Sequence, residues 1–153
     1  MAANQAPIYT LTPNVGRARI TTTYAQVKSD GTSAGSGADF VVKVFTAGTN
    51  GSYIDKIRFF SVASTAATTG VATTLRAYLS TVSTPGATTT SDTFLIGEMS
   101  AGAISSSHST NATSYLELQL GFAIPAGTYI HVSQHVAQTT NQAWNAVAIG
   151  GDY

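Results

Sequence analysis

The stretch "SYLELQLGFAIPAGTYIHVSQHV", residues 114–136, decides the fold. Leu116, Leu118 and Leu120 alternate with Tyr115, Glu117 and Gln119. That period of two places one face in a core and the other toward solvent. "IPAGT" then breaks the run, and "TYIHVSQHV" resumes it with β-branched residues. A Pro-Ala-Gly turn followed by such a run marks the start of a second strand. On it, Ile130, Val132 and Val136 form an apolar face, and Tyr129, His131, Ser133 and His135 form the other.

The strand reading also decides the meaning of the two histidines. His131 and His135 lie four residues apart. On a helix that spacing would let them share a metal ion. On a strand it separates them by about 13 Å, whereas a zinc–nitrogen bond is only about 2 Å long. Only a symmetric interface could gather copies of one histidine around an ion. The pair is therefore read as structural or interfacial, with no metal site, and His108 in "SSSHST" as a loop residue.

Working outward, the same alternation recurs. "TLRAYLS" sets Leu75, Ala77 and Leu79 against Arg76, Tyr78 and Ser80. "DFVVKVFTA" puts Phe40, Val42 and Val44 on one side and Lys43 on the other. "YIDKIRFFSVAS" opposes Ile57 and Phe59 to Lys56 and Arg58, with Phe60 and Val62 making the second face partly apolar. "RARITTTY", "DTFLIGEM" and "AWNAVAIGG" are shorter runs of the same kind, and Trp144 in the last is placed in the core. Asn50-Gly51 is a hairpin signal because both residues accept positive φ. "SDGTSAGSG", residues 29–37, reads as an exposed loop, and "STAATTG", "TVSTPGATTTS" and "AGAISSSHSTNAT" as loops with nothing to pack. No segment shows helical apolar spacing with a cap. The expected fold is all-β: an antiparallel β-sandwich of about eight strands, jelly-roll-like, with little helix. Residues 1–16 are read as an N-terminal arm or edge strand, and 17–153 as a single β-sandwich domain.

Composition narrows the function classes. The chain has 153 residues, of which only 9% are charged, with a formal net charge of zero; about 25% charged is typical. Without a basic excess, nucleic-acid and membrane-surface binding lose their usual driving force. A near-neutral surface gives little colloidal repulsion, which suits a component of an assembly. Cysteine is absent, which removes disulfides, thiolate catalysis and thiolate metal sites. "MAANQAPIYTLTP" has neither a basic segment nor an apolar h-region, and no run approaches the roughly 18 apolar residues of a membrane span.

The residues offer no catalytic set. The carboxylates are Asp30, Asp39, Asp55, Asp92, Glu98, Glu117 and Asp152, and none forms a recognisable acid pair. Glu117 alternates with leucines and is expected to face solvent. There is no G-x-S-x-G elbow, P-loop or dinucleotide fingerprint. From Asp30 the alternate positions are Thr32, Ala34 and Ser36 with no closing Glu, a poor cage for calcium. Catalytic, cofactor and metal residues are all expected to be none.

The run "IDKIRFFSVASTAATTGVATTLRAYLS", "FLIGEM", "LELQLGFAIPAGTYIHVS" and a terminal "WNAVAIGGDY" resembles small β-sandwich virion proteins of tailed bacteriophages. The resemblance covers about residues 40–153 and carries no active-site residue across. It implies a capsid decoration (cement) protein on the virion surface, assembled in the bacterial host cytoplasm. Its implied partners are further copies of itself in a homotrimer and the major capsid protein of the same phage, with no nucleic acid, membrane or cofactor. The alternative is a phage tail or head-fibre module that binds a host receptor or glycan. A small hydrolase on a jelly-roll scaffold is the third reading, and would need a cleft with convergent carboxylates or histidines.

Overall fold

Side chains alternate across a strand, so a chain with many short period-two runs buries itself best by stacking two sheets face to face. A computed structural model describes residues 9–21, 28–29, 41–66, 69–83, 93–109 and 115–153. Among these lie eight strands: β1 (Thr12–Ile20), β2 (Val42–Thr46), β3 (Ser52–Ala63), β4 (Thr73–Ser80), β5 (Thr93–Ala101), β6 (Tyr115–Ile124), β7 (Tyr129–Gln134) and β8 (Gln142–Asp152). Sheet one has the order β1-β8-β3-β6 and sheet two β2-β7-β4-β5. Every pairing is antiparallel. Of the strands consecutive in the chain, only β4 and β5 are neighbours in a sheet; each other step crosses between the sheets. That is jelly-roll connectivity, two interlocked Greek keys.

The core lies between the sheets. Ile20, Ile54, Ile57, Phe59 and Trp144 from sheet one meet Val44, Phe45, Leu75, Ala77, Ile130 and Val132 from sheet two. Each fully buried large apolar side chain contributes about 1.5–3 kcal/mol. Leu116, Leu118 and Leu120 pack against this cluster from β6, and Trp144 is 1% exposed, both as the alternation predicts.

Departures from strict alternation have local causes. In β2 a register shift between Lys43 and Phe45 turns Phe45 into the core beside Val44, which simple alternation misses. A second shift in β3, between Ile54 and Lys56, lets Ile54 and Ile57 both face inward. Strand β7 ends at Gln134, so Val136 is not a core residue but 42% exposed. Asn50-Gly51 forms a turn, with Gly51 at φ 88° and its N–H donating to the Gly48 carbonyl at 3.0 Å. It joins β2 in sheet two to β3 in sheet one, so it does not close a hairpin. The "IPAGT" turn carries the chain from β6 to β7, with Gly127 at φ 75° and the Thr128 hydroxyl donating to the Pro125 carbonyl. Part of the segment after β5 does pack: Ile104 lies against the core, and the Ser106 hydroxyl is hydrogen-bonded to that of Ser61 in a buried setting.

Strand β1 is an edge strand of sheet one. The arm or edge-strand reading of residues 1–16 falls outside the described residues for positions 1–8. So do the loop reading of residues 29–37 and the calcium-loop reading that starts at Asp30, for positions 30–40. Where β1 meets β2 across the sandwich, a Cβ on Gly16 would lie 1.8 Å from the Val44 carbonyl oxygen; only glycine permits that approach. Gly16→Ala is expected to cost about 1–3 kcal/mol through forced backbone movement, measured by chemical unfolding. Gly102→Ala is the control, since an added Cβ there meets nothing within 4 Å.

Candidate interaction face

The two sheets differ in what their outer faces show. Register places three rows across sheet one on the side away from the core. These are Val15–Ile149–Lys56–Gln119, Arg17–Val147–Arg58–Glu117 and Arg19–Asn145–Phe60–Tyr115. Val15 and Tyr115 are 61% and 54% exposed, Arg17 and Arg19 are exposed, and Val147 and Ile149 are half-buried. Exposed Leu11 and Tyr9 precede β1 at the same margin. An apolar strip along β8 is thus flanked by cations on both sides.

Within this face the charges are unevenly matched. Glu117 accepts from Arg58 Nε at 2.8 Å and from Lys56 Nζ at 3.1 Å. Arg58 and Lys56 hold its carboxyl below the usual carboxylate range. Glu117 therefore lies on the outer side, as alternation predicts, but is clasped by two cations. Lys56 also lies 3.7 Å from Asp55. The Arg58 guanidinium stacks 5.3 Å from the Tyr115 ring, and Phe60 lies 5.6 Å from the same ring. An open groove lined by Arg17, Arg19, Asn145 and Val147 runs between β1 and β8.

Much of sheet two is covered instead, although its edge strand β5 leaves Phe94 and Leu95 exposed. Residues 130–134 of β7 are buried in unbroken succession. Tyr78 is fully buried against Val41 on the outer side and donates to the Lys28 carbonyl at 2.9 Å. Gln134 Nε2 donates to the Thr21 carbonyl at 2.7 Å. Described parts of the β1–β2 connection therefore lie over this sheet.

That covering gives the two histidines different surroundings. His131 is not on a wet polar face: it is 2% exposed, in register between Lys43 and Tyr78. Burial first, and the Lys43 ammonium second, lower its pKa to about 4, with the nearby Val82 backbone offsetting part of the shift. Neither ring nitrogen completes a hydrogen bond among the described residues. His135 lies beyond the end of β7, exposed, with Nδ1 3.2 Å from an Arg76 guanidinium nitrogen. The pair thus occupies two different environments. Among the described residues no group of three His, Asp or Glu could hold a metal ion.

The cations of sheet one carry a sequence signal that alternation alone leaves half-read. "RARI" and "DKIRF" each place two cations on one side of a strand. Only the pairing of β1 and β3 to the two edges of β8 shows that all four share a face.

No protein-family model matches the chain, and no curated protein matches it. A solved structure described as the Cyanophage Pam1 capsid asymmetric unit is similar over 97% of this chain and 91% of that one, at 15% identity and a TM-score of 0.42. A likeness of that degree assigns neither family nor function.

The buried histidine generates a pH dependence. Its folded-state pKa lies below the value of 6.5, so the unfolded chain takes up the proton first as pH falls. Its contribution is complete above pH 6.5 and is lost progressively toward pH 4, by up to about 3 kcal/mol. Denaturant midpoints measured across that window are expected to fall less for His131→Met than for the unmodified chain.

Proposed function

We propose that this chain is a non-enzymatic structural protein of a phage virion, specifically a capsid decoration (cement) protein acting as a homotrimer. The observation that carries the reading is the contrast between the two sheets. In sheet two the chain covers β7 and Tyr78 of β4, leaving Phe94 and Leu95 exposed on the edge strand β5, whereas sheet one offers a broad outer face in which Val15, Val147, Ile149, Phe60 and Tyr115 interleave with cations. Contiguous apolar surface of this kind, rimmed by polar groups, marks protein contact, and Arg, Tyr and Phe are the residue types enriched at such contacts. A charge-poor chain with zero net charge adds little repulsion to close packing on a shell. The sequence resemblance to small β-sandwich virion proteins points the same way.

The mechanism is bridging. A copy seated across a junction between capsomers buries surface on both, and separating them must break those contacts as well as their own. A standard interface buries about 1,600 Å² in total, and a trimer engages several such sites at once, so avidity multiplies modest contacts. No bond is made or broken.

Shells assembled without this protein are expected to form normally but to rupture at lower temperature, and adding the purified protein back is expected to restore the rupture temperature. Equal rupture temperatures with and without it would refute the cement role. Failure to decorate shells, together with host-cell binding competed by soluble glycan, would replace it with the receptor-binding reading.

A further inference from the structure

Resting on that reading, we infer that the chain docks through the outer face of sheet one, and that the surface it meets is an acidic protein surface with apolar ground between its carboxylates. Charge placement carries the argument. The chain has seven Lys and Arg residues in all, and four of them, Arg17, Arg19, Lys56 and Arg58, stand on this one face. Glu117 and Asp55 serve Lys56 and Arg58. Arg17 and Arg19 are exposed on the edge strand, and no carboxylate among the described residues lies within ion-pair distance of either. In a chain of zero net charge, this is a local cationic excess set around an apolar strip.

The same chemistry selects among occupants. A second copy meeting this face by its own equivalent would add a second unmatched Arg17 and Arg19 and no unmatched carboxylate, a surplus of cations that like-charge repulsion disfavours. Nucleic acid binds in proportion to the phosphates neutralised, yet the middle of this face is Val147 and Ile149 on β8, flanked by cations rather than carpeted by them. An acidic protein surface satisfies both parts: carboxylates accept from the Arg17 and Arg19 guanidinium groups, which favour paired geometry. Apolar partner side chains cover the β8 strip and the Phe60–Tyr115 pair.

The test uses the full-length chain and emptied shells stripped of it. Arg17→Glu/Arg19→Glu is expected to weaken shell binding about a hundredfold, because each reversal sets like charges against the partner. Lys28→Glu, on the side of sheet two, is expected to bind as the unmodified chain does. Melting temperatures of both variants check that the fold is intact. Independently of any charge change, a photo-crosslinking residue at Tyr115 is expected to capture the shell subunit, and one at Lys28 is not.

Unmodified chain that binds shells while the double reversal binds equally well overturns this inference and leaves the decoration reading standing. Unmodified chain that does not bind shells at all overturns both. Capture at Tyr115 of another copy of this chain, or of a single-stranded RNA oligonucleotide supplied as competitor, in place of the shell subunit also overturns it.

Discussion

The rest of the structure depends on where β8 lies. It pairs along one edge with β1 and along the other with β3, so the last strand of the chain completes a sheet whose first strand lies more than a hundred residues earlier. Its inward side chains taper from Trp144 through Ala146 and Ala148 to Gly150. The large end fills the core, and the small end leaves room for backbones to approach. A Cβ on Gly150 would come within 2.3 Å of the Tyr53 carbonyl, and Gly16, opposite Ala148 in register, approaches Val44 across the sandwich. At the tip, Asp152 accepts from Asn14 and Ser52, tying β1 and β3 to β8. Burial alone would raise that carboxyl, but these donors and the Gly48 N–H outweigh it and hold it below its ordinary value. The terminal "GGDY" is thus a structural latch.

From that placement follows the difference between the two surfaces. With β8 central, its outward Val147 and Ile149 become the middle of an open face, and the cations of β1 and β3 fall to either side. On the opposite sheet, Tyr78, His131 and Gln134 are enclosed, at the cost of buried polar atoms without partners at His131, Ser133 and Gln134 among the described residues. Such atoms are expensive to bury. Of the three only His131 titrates, so it is the group that makes sheet two sensitive to falling pH, while the outer face of sheet one stays open.

Much of the fold was legible in the alternation of single strands. Leu116, Leu118 and Leu120 on β6, Leu75 and Ala77 on β4 and Trp144 on β8 all face inward as their spacing implies. Alternation failed where the backbone takes an extra residue, as at Phe45, or where the strand stops early, as before Val136. It failed again where covering elements changed a face from wet to dry, as at His131. None of these depends on residue type alone: each is set by what a distant segment does.

What the sequence by itself determined is the set of strands, their inward residues and the glycine turns, because each rests on interactions within a few residues. It also determined the scarcity of charge. Tertiary structure alone decided which strands share a sheet, that Asn50-Gly51 crosses between sheets, and that Arg17, Arg19, Lys56 and Arg58 stand together. The physical reason is that a strand satisfies only half its backbone hydrogen bonds with any one neighbour. The choice of neighbours is a property of the whole chain, and surface chemistry follows from it.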